Sequence, residues 1–407
     1  MYRDECERLL GNTRHYKRMS RDPTIDVQEE ITFLVSKGKE NNWITDHEAS
    51  DLIQTNPKIP YFYILPKVHK EKIPPPGRPI VSRIGSALEP LSKFVDFFRQ
   101  PLVKRIPTYL KDTTHVLLLL ESITFDKSKE LLITLDVESL YTNIPQEATL
   151  EVISNLLDIH MGESQTPPGF ILDLAHLALT RNYFKFEDSF FLQTQGTSMG
   201  SIFAPSLACL YVDHIERHTI LHEDNPYQDQ IKLWKRYIDD VLLIWTGSKE
   251  EAQAFAVWLN GANPFLTFTM NIGDKKLPFL DLLIYEQDGG LATEVYYKPT
   301  DCNNLLQYQS FHPRALRDDL PVGQFLRLRR NCSSVTDYRK HADKLSTKLH
   351  TKDYPPHLVN RARKRARNNN RDQLLQPRAQ KPSLDKIVCV TTFNTLSNEI
   401  QKIMREN

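Results

Sequence analysis

At 407 residues the chain is long enough for two or three domains and a sizeable core. Hydrophobic residues make up 40% and charged residues 25%, the balance of a soluble globular protein, and a net charge of +1 gives no bulk signal for a polyanionic partner. The five cysteines (Cys6, Cys209, Cys302, Cys332 and Cys389) contain no CxxC pair, which argues against a zinc knuckle or disulfide framework and suits a reducing compartment. The N-terminus is charged from Arg3 and lacks a signal-peptide pattern, and apolar runs such as Val116–Leu120 are far too short to span a bilayer.

Residues 1–55 read as an amphipathic helical extension anchored by Ile25, Phe33, Leu34 and Trp43. Within it Thr45-x-x-Glu48 fits a capping box opening a helix through Ile53. This segment suits packing or partner contact and shows no chemistry. An aromatic strand from Tyr61 then ends at Pro66 with Lys67, His69 and Lys70, and a proline-stiffened loop leads to Arg78 and a second short strand, Ile80–Ser82. Two basic strand ends joined by a loop form either a surface hairpin or a cradle for polyanions. With Gly77 as its only glycine, the 67–78 loop is not a Walker-type phosphate loop.

Residues 90–120 read as one or two helices. Leu131–Leu135 is a near-continuous apolar run, typical of a strand covered on both faces, and Asp136 ends it where a buried strand delivers a side chain to a cleft or caps the next helix. Helices are expected from Gln146 to about Leu157 and from Phe170 to Thr180, and a hairpin from Tyr183–Phe186 and Ser189–Gln193 turning at Glu187-Asp188. Gln195-Gly196 opens a glycine-bearing turn before an apolar helix, Ser206–His218. Such a turn exposes backbone N–H groups and permits close approach of a base or sugar.

Tyr237-Ile238-Asp239-Asp240 places two acids between apolar arms that read as strands, so the acids lie at the tight turn of a hairpin. Adjacent carboxylates in an apolar setting repel, and a divalent cation is the strongest neutralising partner; taken alone, the pair also fits an ordinary Asp-Asp turn. Beyond it come a helix, Lys249–Asn260, a strand, Leu266–Ile272, a turn at Asp274-Lys275-Lys276, and two strands, Leu277–Tyr285 and Leu291–Tyr297. From Lys298 the chain becomes basic and helical. Residues 361–371 hold six Lys or Arg in eleven positions, which on a helix would surround much of the cylinder. That run fits a phosphate tracker, a solvated tail or a nuclear-localisation patch. Gln376–Pro382 reads as a linker.

A basic hairpin, a strand ending in an acid, a Gln-Gly turn and an Asp-Asp hairpin thus follow in one order. In-line phosphoryl transfer by two metals, roughly 3.5–4 Å apart, needs carboxylates from separate strands to converge. On that reading Asp136 and Asp239 ligate both ions, Asp240 assists, and Lys67 and Arg78 neutralise a triphosphate.

The ordered set resembles the reverse transcriptases, most closely those of Penelope-like retroelements, over roughly residues 60–370. The residues that carry the resemblance are Gly77-Arg-Pro-Ile-Val-Ser82, Leu135-Asp-Val-Glu-Ser-Leu-Tyr-Thr-Asn-Ile-Pro145, Gln195-Gly-Thr-Ser-Met-Gly200, Tyr237-Ile-Asp-Asp240, Leu277-Pro-Phe-Leu-Asp281 and Tyr297-Lys-Pro-Thr300. The resemblance implies an α+β right-hand polymerase fold with an antiparallel palm sheet and a basic helical thumb. It divides the chain into an N-terminal extension (1–55), fingers and palm (56–300), thumb (301–371) and tail (372–407). It also implies an RNA-directed DNA polymerase that extends a DNA primer on an RNA template with deoxynucleoside triphosphates, using two Mg²⁺ for which Mn²⁺ can substitute.

Site residues follow from the same resemblance. Asp136, Asp239 and Asp240 are catalytic metal ligands, and Val137, Gln195 and Gly196 join Lys67 and Arg78 in binding the nucleotide. Tyr141 is the sugar gate, and its bulk under the sugar excludes a 2′-OH, which disfavours an RNA-dependent RNA polymerase. Lys275 or Lys276 is a general acid for pyrophosphate or else a plain surface turn. Arg327, Arg329, Arg330, Arg361, Arg363, Lys364, Arg365 and Arg367 contact nucleic acid. No GIY-YIG endonuclease motif is expected between residues 372 and 407, and the substrate and basic run point to the nucleus ahead of the cytoplasm. The competing readings are an inactive or domesticated nucleic-acid-binding protein on the same fold, and a scaffold protein whose acids are only turn residues.

Overall fold

The computed structural model describes residues 1–68, 73–161 and 164–376; His69, Lys70 and most of the expected tail lie outside the described residues. The elements in chain order are α1 (Tyr2–Leu10), β1 (Tyr16–Met19), α2 (Thr24–Glu40), α3 (Asp46–Leu52), β2 (Tyr61–Pro66), β3 (Gly77–Ser82), α4 (Glu89–Val103), α5 (Thr113–Glu121), β4 (Glu130–Val137) and α6 (Leu140–Asn143). Then come α7 (Gln146–His160), α8 (Pro168–Thr180), β5 (Tyr183–Phe186), β6 (Ser189–Gln193), α9 (Ala204–Ile215), β7 (Ile231–Tyr237), β8 (Asp240–Thr246), α10 (Lys249–Ala262) and β9 (Phe268–Ile272). The last group is β10 (Lys276–Phe279), β11 (Leu282–Gln287), β12 (Gly290–Val295), α11 (Arg314–Asn331), α12 (Val335–His350), α13 (Pro356–Arg367) and α14 (Arg371–Leu375). Two compact units result, one from residues 1–111 and 128–273, the other from 112–127 and the described residues from 274 on. The boundary between the units falls at 273, and α5 belongs to the second unit.

The first unit holds two sheets. The antiparallel four-stranded sheet runs β7-β8-β4-β9. Its central strand β8 is Val241-Leu-Leu-Ile-Trp245, with every side chain fully buried, so it is covered on both faces. Each such side chain contributes roughly 1.5–3 kcal/mol of burial. Helices α4, α7, α8, α9 and α10 share that core through Leu91, Ile153, Leu174, Leu207 and Phe255.

The second sheet, β1-β6-β5-β2-β3, corrects the reading of residues 1–55 as purely helical. Tyr16–Met19 is a strand paired with β6 in the register Tyr16↔Gln193 to Met19↔Phe190. Four residues are too few for the period-2 signal to stand out. The Thr45–Glu48 capping box forms as expected, with Glu48 N–H donating to Thr45 Oγ1 at 3.2 Å and Thr45 N–H donating back at 2.8 Å.

The second unit has its own antiparallel sheet, β10-β11-β12, and a helical core of Phe325, Leu328, Tyr338, Leu345 and Val359. The single strand expected over 277–285 is broken into β10 and β11 at Leu280, whose φ is +53°. Asp281 follows it and is held by Thr113 Oγ1 (2.6 Å), Arg327 (2.9 and 2.7 Å) and Asn331 Nδ2 (3.0 Å). No helix among the described residues is long and apolar enough to cross a membrane.

Candidate active site

Strand pairing alone brings the two acidic motifs together. Asp136 at the end of β4 stands directly opposite Asp240 at the start of β8, and the Val137 N–H donates to the Asp239 carbonyl at 3.0 Å. The β7–β8 hairpin turns on Ile238-Asp239, flanked by the Tyr237↔Asp240 pair. Ile238 has φ +57°, a left-handed conformation that a β-branched residue adopts only under constraint, at a cost of order 1–3 kcal/mol.

The constraint comes from beneath. Arg236 Nη1 donates to the Ile238 carbonyl at 3.0 Å, and its Nε and Nη2 reach Glu216 at 2.7 and 3.0 Å. Trp234 Nε1 (2.7 Å) and Thr108 Oγ1 (2.6 Å) complete the carboxylate's partners. Burial alone would lower the Arg236 pKa; the Glu216 charge outweighs it and raises it. Glu216 opens a π-helical turn, Glu216–Ile220, that continues α9. Sequence reasoning missed this pair, because a buried ion pair between a helix end and a strand leaves no local spacing to read.

A cleft of about 460 Å³ in the first unit is lined by Asp136, Val137, Tyr141, Asp239, Lys67 and Arg78. Six of the expected site residues are therefore brought to one space. Arg8, Asn12, His15 and Met199 line it too, and none of them was anticipated. Lys67 follows the end of β2 and Arg78 lies near the start of β3, where the register Pro66↔Gly77 sets the two strand ends side by side. Asp136 is exposed and Asp239 and Asp240 are half-buried.

Tyr141 sits on the short α6 behind Ser139, whose φ is +52°. Burial, then the charge of Asp239, raises its hydroxyl pKa, while Arg78 opposes the shift. Its carbonyl accepts from the Thr197 N–H at 2.6 Å, so the Gln-Gly turn clamps α6 from behind. That clamp explains the glycine. A Cβ on Gly196 (φ +71°) would stand 2.4 Å from the Tyr141 oxygen. Gly200 (φ +123°) is confined in the same way, 2.3 Å from the Val81 oxygen, beside the Val81 N–H bond to Met199 (3.0 Å).

Gln195 and Gly196 do not line the cleft and support α6 from behind. Gln195 bonds to the Asn143 carbonyl (3.2 Å) and accepts from Arg14 Nε (2.8 Å). The Lys276 ammonium pairs with Glu294 and lies 4.4 Å from the Tyr285 ring centroid. Lys275 is an exposed turn residue.

The basic residues of the second unit divide by helix. On α11, Arg327 is tied to Asp281, Arg329 lies 6.0 Å from the Tyr338 ring centroid, and Arg330 Nε donates to Asn331 at 3.1 Å. On α13, Leu358, Val359, Ala362 and Ala366 are buried, so the helix has a core face and its charges do not surround the cylinder. Arg363 pairs with Asp343 at 2.6 Å, and Arg361, Lys364, Arg365 and Arg367 are exposed.

The acids suit a hard divalent cation: Asp136 on β4 and Asp239 in the β7–β8 turn line a cleft whose other lining residues include cations, whereas Asp240, paired across from Asp136, does not line it. Among the described residues no group of three or more His, Cys, Asp or Glu is placed to hold a metal ion.

Comparisons with known proteins bear on the fold. Residues 77–271 match the family described as reverse transcriptase (RNA-dependent DNA polymerase), and residues 304–364 match the animal helix-turn-helix domain. No curated protein matches the sequence. Among solved structures, a telomerase from Candida albicans, in complex with a fragment of telomeric RNA, superposes with a TM-score of 0.55 at 10% identity, covering 86% of this chain and 58% of that one. This chain thus spans little more than half the telomerase's length. A Sicinivirus 3Dpol RNA-dependent RNA polymerase gives 0.49 at 12% identity, covering 84% and 71%. At such identities the telomerase likeness speaks to the fold, which is the α+β right-hand polymerase class.

Proposed function

We propose that the chain whose residues 77–271 match the reverse transcriptase domain is an RNA-directed DNA polymerase of retroelement origin, of the Penelope-like kind. It extends a DNA primer 3′-OH on an RNA template with deoxynucleoside triphosphates. The observation that carries this reading is the Asp136–Asp240 register, which joins two motifs about a hundred residues apart at a cleft lined by Lys67 and Arg78.

Asp136, Asp239 and Asp240 are the residues that would hold two Mg²⁺, or Mn²⁺ in their place; bound there, the ions would supply charge neutralisation and orient the attacking and leaving oxygens. The chain's own residues do the positioning. Lys67 and Arg78 bind the polyphosphate and draw charge away from the leaving pyrophosphate. Val137, buried beside Asp136, fixes the floor of the cleft. Tyr141, clamped through its carbonyl, presents its ring to the sugar and leaves no room for a 2′-OH. The exposed cations of α13 track the phosphate backbone of primer and template.

Primer extension on matched RNA and DNA templates, with deoxynucleotides or ribonucleotides, tests the proposal. Extension of an RNA template with deoxynucleotides in Mg²⁺ is expected. Absence of extension on both templates would leave a nucleic-acid-binding protein, and absence of Mn²⁺ affinity besides would leave a scaffold.

A further inference from the structure

The first helix contributes a cation to the cleft that nothing in its sequence advertises. Arg8 on α1 lines the same space as Lys67, Arg78, Asp136 and Asp239. It is positioned from below by Glu5, whose side chain is only 7% exposed. Glu5 Oε2 accepts from Arg8 Nε at 2.6 Å and Oε1 from Arg8 Nη2 at 2.8 Å. The same Oε1 accepts from the Gly77 N–H at 2.8 Å, next to Arg78. One carboxylate therefore sets both the α1 guanidinium and the start of β3. The hydroxyl of Tyr2 adds a second tie, accepting from the Ile64 N–H at 3.0 Å.

We propose that Arg8 contacts the polyphosphate of the incoming nucleotide, with Glu5 as its positioning residue. The inference rests on the polymerase reading above. A guanidinium carries five N–H donors, and Glu5 engages two of its nitrogens, so Arg8 keeps donors on a side chain that is 62% exposed toward the cleft it lines. Even with ions bound, a triphosphate presents more anionic oxygens than Lys67 and Arg78 can each engage. Its oxygens also match the planar fork of an arginine better than a point charge does. Residues 1–10 are on this account part of the nucleotide site and not an appended extension.

The test is equilibrium binding of dTTP and of dTMP to the full chain with primer-template and Ca²⁺, for the wild type, Arg8→Ala, Arg8→Lys and Glu5→Gln. Arg8→Ala should weaken dTTP on the order of tenfold, the scale of one charge-assisted hydrogen bond, and leave dTMP unchanged. Arg8→Lys should recover part of the loss, and Glu5→Gln should show a smaller one, because its amide oxygen still accepts from Gly77. In steady-state extension the same losses should enter KM for dTTP and not kcat. Equal affinity for dTTP in Arg8→Ala, equal losses for dTTP and dTMP, or a loss confined to primer-template affinity would each overturn the assignment. A wild type that binds dTTP without extending a primer would sink the polymerase reading alone, and the binding series would still decide Arg8. A wild type that does not bind dTTP would sink both.

Discussion

Arg236 and Glu216 form an ion pair from which water is excluded, the arginine being 1% exposed and the glutamate not at all. The same guanidinium holds the Ile238 carbonyl one residue before Asp239. The pair therefore links the palm helix to the strained turn that presents the acids. Arg236→Met leaves a buried, uncompensated carboxylate, and breaking such a pair costs about 3–5 kcal/mol. Urea unfolding should show that loss, and extension should fall with it. Arg236→Met combined with Glu216→Gln removes both charges and should recover a large part of the stability. If the single variant unfolds at the wild-type urea midpoint, the pair is not what holds the turn.

Asp136 and Asp240 face one another across adjacent strands, and like charges in that position destabilise a sheet by roughly 0.2–1 kcal/mol. Asp136→Asn removes that repulsion and should therefore leave Tm unchanged or raise it. Extension should fall by at least roughly 10²–10³-fold, the scale of deleting one preorganised charge. The pairing of those two readouts is the prediction: activity lost through unfolding would point to a structural acid instead.

The palm was legible because its signals are local. Val241–Trp245 is a buried strand by composition, and Glu187-Asp188 is a turn by its neighbours. The acidic motifs could be placed at one cleft because strand ends converge wherever strands pair. What stayed hidden were tertiary partners. Arg8 and Glu5 look like any exposed charges of an amphipathic helix until the bond to the Gly77 N–H is seen. Gln195 carries the polar groups of a substrate contact, and only the observed bonds to Asn143 and Arg14 show it as a brace. In the second unit, the buried Ala362 and Ala366 turn a run of arginines into an amphipathic helix. Alanine is too small to announce a core face beside so many charges.

Tyr141 is half-buried, its ring packed on the core and its hydroxyl sensing Asp239 and Arg78. On the proposed sugar-gate reading, Tyr141→Ala opens space beside the sugar. Ribonucleotide incorporation relative to deoxynucleotide should rise roughly 10- to 200-fold, the discrimination available to one steric contact. Tyr141→Phe should keep selectivity, because the exclusion comes from ring bulk. Single-nucleotide incorporation with dTTP and UTP measures both, and a rise in the Phe variant equal to that in Ala would move the gate to the hydroxyl.

Glu294 should give the second unit an acid-labile core. Burial would raise its carboxyl pKa; the bonds from Lys276, His341 and Lys340 outweigh it and hold the value at about 2. A carboxylate depressed in the folded state adds stability above its unfolded pKa, near 4.5, and loses it as pH falls toward 2. Wild type and Glu294→Gln should therefore differ most in stability near neutral pH and converge between about pH 4.5 and 2. Thermal unfolding across that range measures the gap. A constant gap would remove Glu294 as the titrating group.

Helix α13 offers a sharper test of nucleic-acid contact than deletion of the basic run, because its two faces are separable. Arg361, Lys364, Arg365 and Arg367 are exposed, whereas Arg363 pairs with Asp343 and Ala362 and Ala366 pack inward. Replacing the four exposed cations with Gln should leave the unit folded, since surface substitutions usually stay within about 0.5 kcal/mol. Each cation that neutralises a phosphate contributes roughly 0.9 to the slope of log affinity against log salt on a duplex. Primer-template titrations from low to moderate salt should therefore give a shallower slope in the variant, and the two affinities should approach each other as salt rises. The Arg363→Gln control, which breaks the Asp343 pair instead, should lower stability slightly and leave the slope alone. A slope that does not change in the fourfold variant would return these side chains to a solvating role and place the backbone contacts elsewhere on the chain.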